Sequence, residues 1–142
     1  MEIIDFHTHI YPEKIAQKAV ESVGEFYGIK MDGGGTTDTL IEQGRSCGVT
    51  GYVVHSVAVT ASRVEAINDY IASECEKHSE FNGFGTMHAD FDNKIEEVKR
   101  MQKMGLKGVK IHPDTQMFDM DDKRMFELYD YLQQEKLPLL IH

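Results

Sequence analysis

Five short apolar runs alternate along this chain with stretches of helical period, and that alternation constrains the fold more than any other feature. The runs are Ile3 to Phe6, Gly51 to Val54, Phe84 to Met87, Gly108 to Ile111 and Pro138 to Ile141. Each is too short for a helix, and Gly51-Tyr52-Val53-Val54 has the β-branched and aromatic character of a strand. Between them, apolar residues recur on single helical faces. Ile15, Ala19, Val20 and Val23 form the first such face, and Leu40, Ile41 and Gly44 the second, after a cap at Thr36 or Thr37. Val64, Ile67, Ile71 and Cys75, then Ile95, Val98 and Met101, then Met125, Leu128, Tyr129 and Leu132 complete the series. Strand and helix in alternation predict βαβ units, hence a parallel sheet with right-handed crossovers. Gly33-Gly34-Gly35 reads as a flexible loop after the first strand and its helix.

The histidines fall on this pattern. Six of the seven follow a predicted strand at its C-terminal end: His7 and His9, then His55, His88, His112 and His142. Those ends share one edge of a parallel α/β sheet, which is where such folds bind ligands. Only His78, near a helix end, stands apart, and it reads as a solvated residue complementing the helix dipole.

In His7-Thr8-His9 two imidazoles one residue apart point to the same side of a strand, so both can hold one metal ion. His142 is expected as a further ligand and His112 as a site residue, with His55 and His88 in the pocket wall. Neutral imidazole suits zinc best among common divalent ions, with manganese, iron and nickel left open. The same parity places Asp5 a layer below His7, and Lys110 a layer below His112. A lysine pointing into a barrel needs a partner. Pairing with Asp5 is the favoured expectation; an anionic substrate group, or carboxylation to bridge two metals, are the others. The loop from Pro113 to Asp122, with Gln116, Met117 and Phe118, is expected to help wall the pocket. Asp119, Asp121 and Asp122 are expected in that loop and the first turn of the last helix.

Composition narrows the partners. A net charge of −9 argues against nucleic acid and anionic membranes, both of which need a basic footprint. No run of about 18 apolar residues is present to span a bilayer. Two cysteines make no disulfide framework, which together with the lack of an apolar leader predicts a cytoplasmic protein. A small-molecule substrate is the expected partner.

Four motifs stand in order: Ile4-Asp5-Phe6-His7-Thr8-His9, Gly83-Phe84-Gly85-Thr86-Met87-His88, Gly105 through Pro113, and Pro138-Leu139-Leu140-Ile141-His142. Together they resemble the amidohydrolase superfamily, in particular its group related to aminocarboxymuconate-semialdehyde decarboxylase. The resemblance implies a (β/α)8 barrel of the TIM type, of which this chain covers about the first five strands. It also implies a divalent metal, commonly zinc, held by His7, His9 and His142. His112 would be the catalytic residue this chain contributes, orienting substrate together with Lys110, His55 and His88. The family's activity is hydrolysis by metal-activated water, with decarboxylation a close variant. Its further catalytic histidine after strand six and its metal-binding aspartate after strand eight match nothing in these 142 residues.

Residues 1–142 are therefore expected to form a single domain, the N-terminal portion of a longer metal-dependent hydrolase. The chain stops on an apolar strand at an expected ligand, and five such strands cannot close an eight-stranded barrel. An open edge strand also invites a second copy, so a homo-oligomer is an alternative. Two other functions fit a His-x-His start: a metal-dependent phosphoesterase of the polymerase-and-histidinol-phosphatase (PHP) type, and a non-catalytic metal-binding half-barrel.

Overall fold

The computed structural model describes residues 2–142. Its five strands are β1 (Ile4–His9), β2 (Gly51–His55), β3 (Phe81–Thr86), β4 (Gly108–Ile111) and β5 (Leu139–Ile141). All neighbouring strands are parallel and stand in chain order, β1-β2-β3-β4-β5. Helices α1 (Glu13–Tyr27) and α2 (Thr37–Ser46) follow β1, and α3 (Val64–Lys77) follows β2. Helix α4 (Lys94–Lys103) follows β3, and α5 (Pro113–Gln116) and α6 (Lys123–Glu135) follow β4. Consecutive parallel neighbours joined by helices curl the sheet into about half of a (β/α)8 barrel, as the alternation predicts.

The core lies between the sheet and its helices. Val54, Val109 and Ile111 from the strands meet Ile71, Val98, Met101 and Leu128 from the helices, all essentially excluded from water. Gly85 permits this approach, since a Cβ there would sit 2.3 Å from the Met101 methyl carbon. A polar buttress crosses the same layer. Asn68 on α3 donates to Glu97 at 2.7 Å and receives the Thr86 backbone N–H at 2.7 Å, while Arg100 holds Glu97 from outside. Glu97 is thereby both buried and satisfied.

Some expectations shift by a turn or a few residues. Strands β1 and β3 are longer than their apolar runs, because β1 carries its pairing through His9 and β3 starts three residues earlier at Phe81. The buried face of α1 turns on Ala16 and Gly24, with Ala19, Val20 and Val23 half-buried, while Ile15 is 51% exposed. Thr36 caps α2 by accepting the Thr39 N–H, and Asp122 caps α6 by accepting that of Arg124. His78 ends α3 half-buried against the Phe81 ring instead of fully solvated.

Candidate metal centre

The sheet is built so that one edge collects imidazoles. In β1 the Thr8 hydroxyl is buried and donates to the Val53 carbonyl at 2.8 Å, and Ile10 is fully buried in the core. With Thr8 and Ile10 on the helix side, His7 and His9 occupy the concave side. Parallel pairing sets His9 directly beside His55 at the end of β2. The same alternation turns Lys110 and His112 inward on β4, since Val109 and Ile111 belong to the core.

Two clusters result. In the first, His7 Nε2 and His9 Nε2 are 3.3 Å apart. Two nitrogens bound to one tetrahedral zinc at about 2.0–2.1 Å stand about 3.3–3.4 Å apart, so the pair has the separation that one ion requires. A ring nitrogen of His55 joins them, and the three ligand atoms lie within 4.8 Å of one another. Tyr11 reaches His9 Nδ1 from the outer side at 3.4 Å. Burial, reinforced by His7 and Lys110, pushes the His9 pKa down to about 3, and burial beside His9 pushes that of His55 to about 2. Both rings are neutral at ordinary pH, the form that binds a cation. A divalent ion therefore fits this donor set.

In the second cluster, His112 and His142 stack at a centroid distance of 4.3 Å. Tyr27, the last residue of α1, places its hydroxyl 2.7 Å from Nε2 of each, donating to one ring and accepting from the other. His142 also lies edge-on to His7, with ring centroids 5.4 Å apart, so the two clusters adjoin. No sequence signal marks Tyr27, which is 85 residues from His112 and meets it only through the fold.

Gln116 is the residue whose role changes most. It does not wall a pocket. It is buried, donates to the carbonyls of Ala58 at 2.8 Å and Met87 at 2.7 Å, and accepts the His112 N–H at 2.8 Å. One amide thus ties together the segments following β2, β3 and β4. Phe118 is likewise core, while Met117 is 87% exposed in a left-handed conformation. Gln116→Ala leaves three buried backbone groups unpaired and is expected to cost about 2–3 kcal/mol in denaturant unfolding. A loss under about 0.5 kcal/mol, the range of ordinary surface substitutions, would show that the clamp is dispensable.

The pairing of Lys110 with Asp5 does not form. The β1–β2 register shifts between Asp5 and Thr8, which breaks the parity that would stack Asp5 under His7. The Asp5 carboxylate is exposed and accepts the His7 backbone N–H at 3.2 Å instead. Lys110 is wholly buried with no hydrogen-bond partner for its amine among the described residues, and burial lowers its pKa to about 8. His88 is placed apart from both clusters: its Nδ1 accepts the Asp90 N–H at 3.1 Å, and its charged neighbours are Asp90, Arg124 and Lys94.

The profile of a family described as Amidohydrolase matches residues 4–142. The chain belongs to the amidohydrolase family. Among solved structures, an amidohydrolase II superposes with a TM-score of 0.71 at 17% identity, covering 99% of this chain and 50% of its own. A dihydroxybenzoic acid decarboxylase from Polaromonas sp., with bound manganese and the inhibitor 2-nitroresorcinol, gives 0.69 at 13% identity, with coverage of 100% and 49%. A 2,6-dihydroxybenzoate decarboxylase complexed with 2,6-dihydroxybenzoate gives 0.69 at 16%, with coverage of 100% and 50%. At these identities the likeness is one of fold, and this amidohydrolase chain spans about half the length of the structures it matches. No curated protein sequence matches it. No helix among the described residues is long and apolar enough to cross a membrane.

Proposed function

We propose that residues 1–142 form the N-terminal portion of a metal-dependent amidohydrolase that acts on a small molecule, with His7, His9 and His142 holding one divalent ion, zinc first and manganese next. The observation that carries this is the 3.3 Å separation of the His7 and His9 Nε2 atoms at the strand ends, with the neutral His55 imidazole beside them. When bound, such an ion lowers the pKa of a water towards about 7 and polarises a substrate carbonyl. The chain's own residues supply the setting. His112, neutral and hydrogen-bonded through Nε2 to Tyr27, is placed to hold or pass a proton at that nitrogen. Gln116 fixes the backbone that carries it.

Decarboxylation is the second reading, and Lys110 favours it. A buried amine with no partner among the described residues, below the imidazoles, offers a positive charge to a substrate carboxylate. Both decarboxylase neighbours support the same substrate class for this chain, a small hydroxylated aromatic acid. Cys47 and Cys75 are free thiols, which supports a reducing, cytoplasmic location.

The test uses the full-length protein. Dialysis against a chelator is expected to abolish turnover of a panel of amides and hydroxybenzoic acids, and zinc or manganese to restore it. Carbon dioxide release selects decarboxylation, and amine or carboxylic acid release selects hydrolysis. Failure to bind either ion stoichiometrically would sink the metal-dependent assignment.

A further inference from the structure

His55 differs from the other buried histidines. Nδ1 of His88 accepts the Asp90 N–H, and His112 uses Nε2 with Tyr27 and Nδ1 with the Thr115 N–H. His55 is wholly excluded from water, yet neither ring nitrogen has a hydrogen-bond partner among the described residues. An unpaired buried polar group costs about 1–3 kcal/mol, so an imidazole buried in this way calls for a partner. The fold gives the ring one direction. Val54, the preceding residue, faces the core, which turns His55 to the concave side. Register then sets it against His9, with ring centroids 4.4 Å apart and planes at 85°. Its centroid is 4.9 Å from that of His7, and a ring nitrogen lies within the 4.8 Å set that joins all three residues. A hydrogen bond can join the His7 and His9 rings, but among the described residues none reaches His55, so hydrogen bonding does not account for the third ring.

We infer that His55, at the end of β2, is a direct ligand of the ion held by His7 and His9. This rests on the proposed metal-dependent reading and adds a donor from a strand to which the sequence assigned only a wall. The ring is held in this position by its strand, since β2 is paired on both sides and its last four residues are buried. Metal binding would supply the partner that the His55 ring lacks, and burial would exclude the water that competes for the site.

The experiment is a zinc titration of full-length protein labelled with 15N-histidine, following the ring nitrogens by NMR. The His55 signals are assigned by their loss in His55→Gln, or, if that variant does not fold, by through-bond correlation to the His55 backbone amide. One His55 ring nitrogen is expected to move to a coordinated position at the same zinc stoichiometry as those of His7 and His9. His55→Gln is also expected to weaken zinc binding by more than about a hundredfold, beyond the 10- to 100-fold cost of losing an outer hydrogen-bond partner. A His55 signal that stays in place while those of His7 and His9 move would overturn this inference and leave the metal-dependent reading standing. No movement at any of the three, with no zinc bound, would overturn both.

Discussion

Replacing Lys110 with methionine is expected to stabilise the fold at pH 7 by about 3 kcal/mol and to weaken binding of a carboxylate ligand at least tenfold, to about the extent expected for losing a buried ion partner. The reasoning starts from the lysine pKa, which burial lowers from 10.5 to about 8. Below pH 8 the amine is protonated in both folded and unfolded chains, so the full cost of burying the charge is present. Between about pH 8 and 10.5 the folded chain gives up the proton first, and stability rises with pH. Above 10.5 both states are neutral and the cost is gone. Methionine matches the length of the lysine stem without the charge, so its advantage should be largest at pH 7 and fade toward pH 10.5. Denaturant unfolding of both proteins at pH 7, 9 and 10.5 checks this, beside binding of a hydroxybenzoate at pH 7. A methionine variant no more stable at pH 7, or equally favoured at every pH, would mean that the lysine is not a buried unpaired charge. A stability gain joined to a binding loss marks a residue kept for function at the expense of the fold.

Lys110 also shows how far the sequence could be read. Its inward direction followed from alternation on β4, which has no irregularity, and the structure bears it out. Its partner did not follow, because the opposite residue sits on β1, where the register slips between Asp5 and Thr8. Such a slip is a local backbone event with no residue signature in Asp-Phe-His-Thr, and one residue of slip exchanges the two faces of a strand. That His7, His9, His55, His112 and His142 are neighbours was legible because strand ends gather on one edge whatever the loops do, while His88, set apart beside Asp90, was not. His55 shows the limit of that rule. Position alone put it in the pocket wall, while its lack of a hydrogen-bond partner among the described residues becomes visible only once its neighbours are in place. Gln116 and Tyr27 were illegible for a different reason. A one-turn helix after Pro113 and a helix end far along the chain acquire their partners only through tertiary packing.

Acid should unfold the metal-free protein at a moderately acidic pH, and His55 and His9 should be the main cause. Burial holds their folded-state pKa values near 2 and 3, against 6.5 in an unfolded chain. Above pH 6.5 neither state takes up the proton and the two rings cost the fold nothing in pH dependence. Below it the unfolded chain binds protons that the folded chain refuses, so stability falls by about 1.4 kcal/mol per pH unit for each ring. Two rings over two pH units remove about 5 kcal/mol, which is the lower end of a typical domain's stability. The midpoint of loss of helical circular dichroism is therefore expected near about pH 4.5. His55→Leu removes one of the two titrations and should move that midpoint down by roughly one pH unit or more. Saturating zinc should raise stability at pH 7, since only the folded chain presents the assembled site. That advantage should disappear as acid competes for the same nitrogens. A midpoint unchanged by His55→Leu would place the acid sensitivity in carboxylates such as Asp122, which Arg124 holds down to about 2, instead of in the histidine cluster.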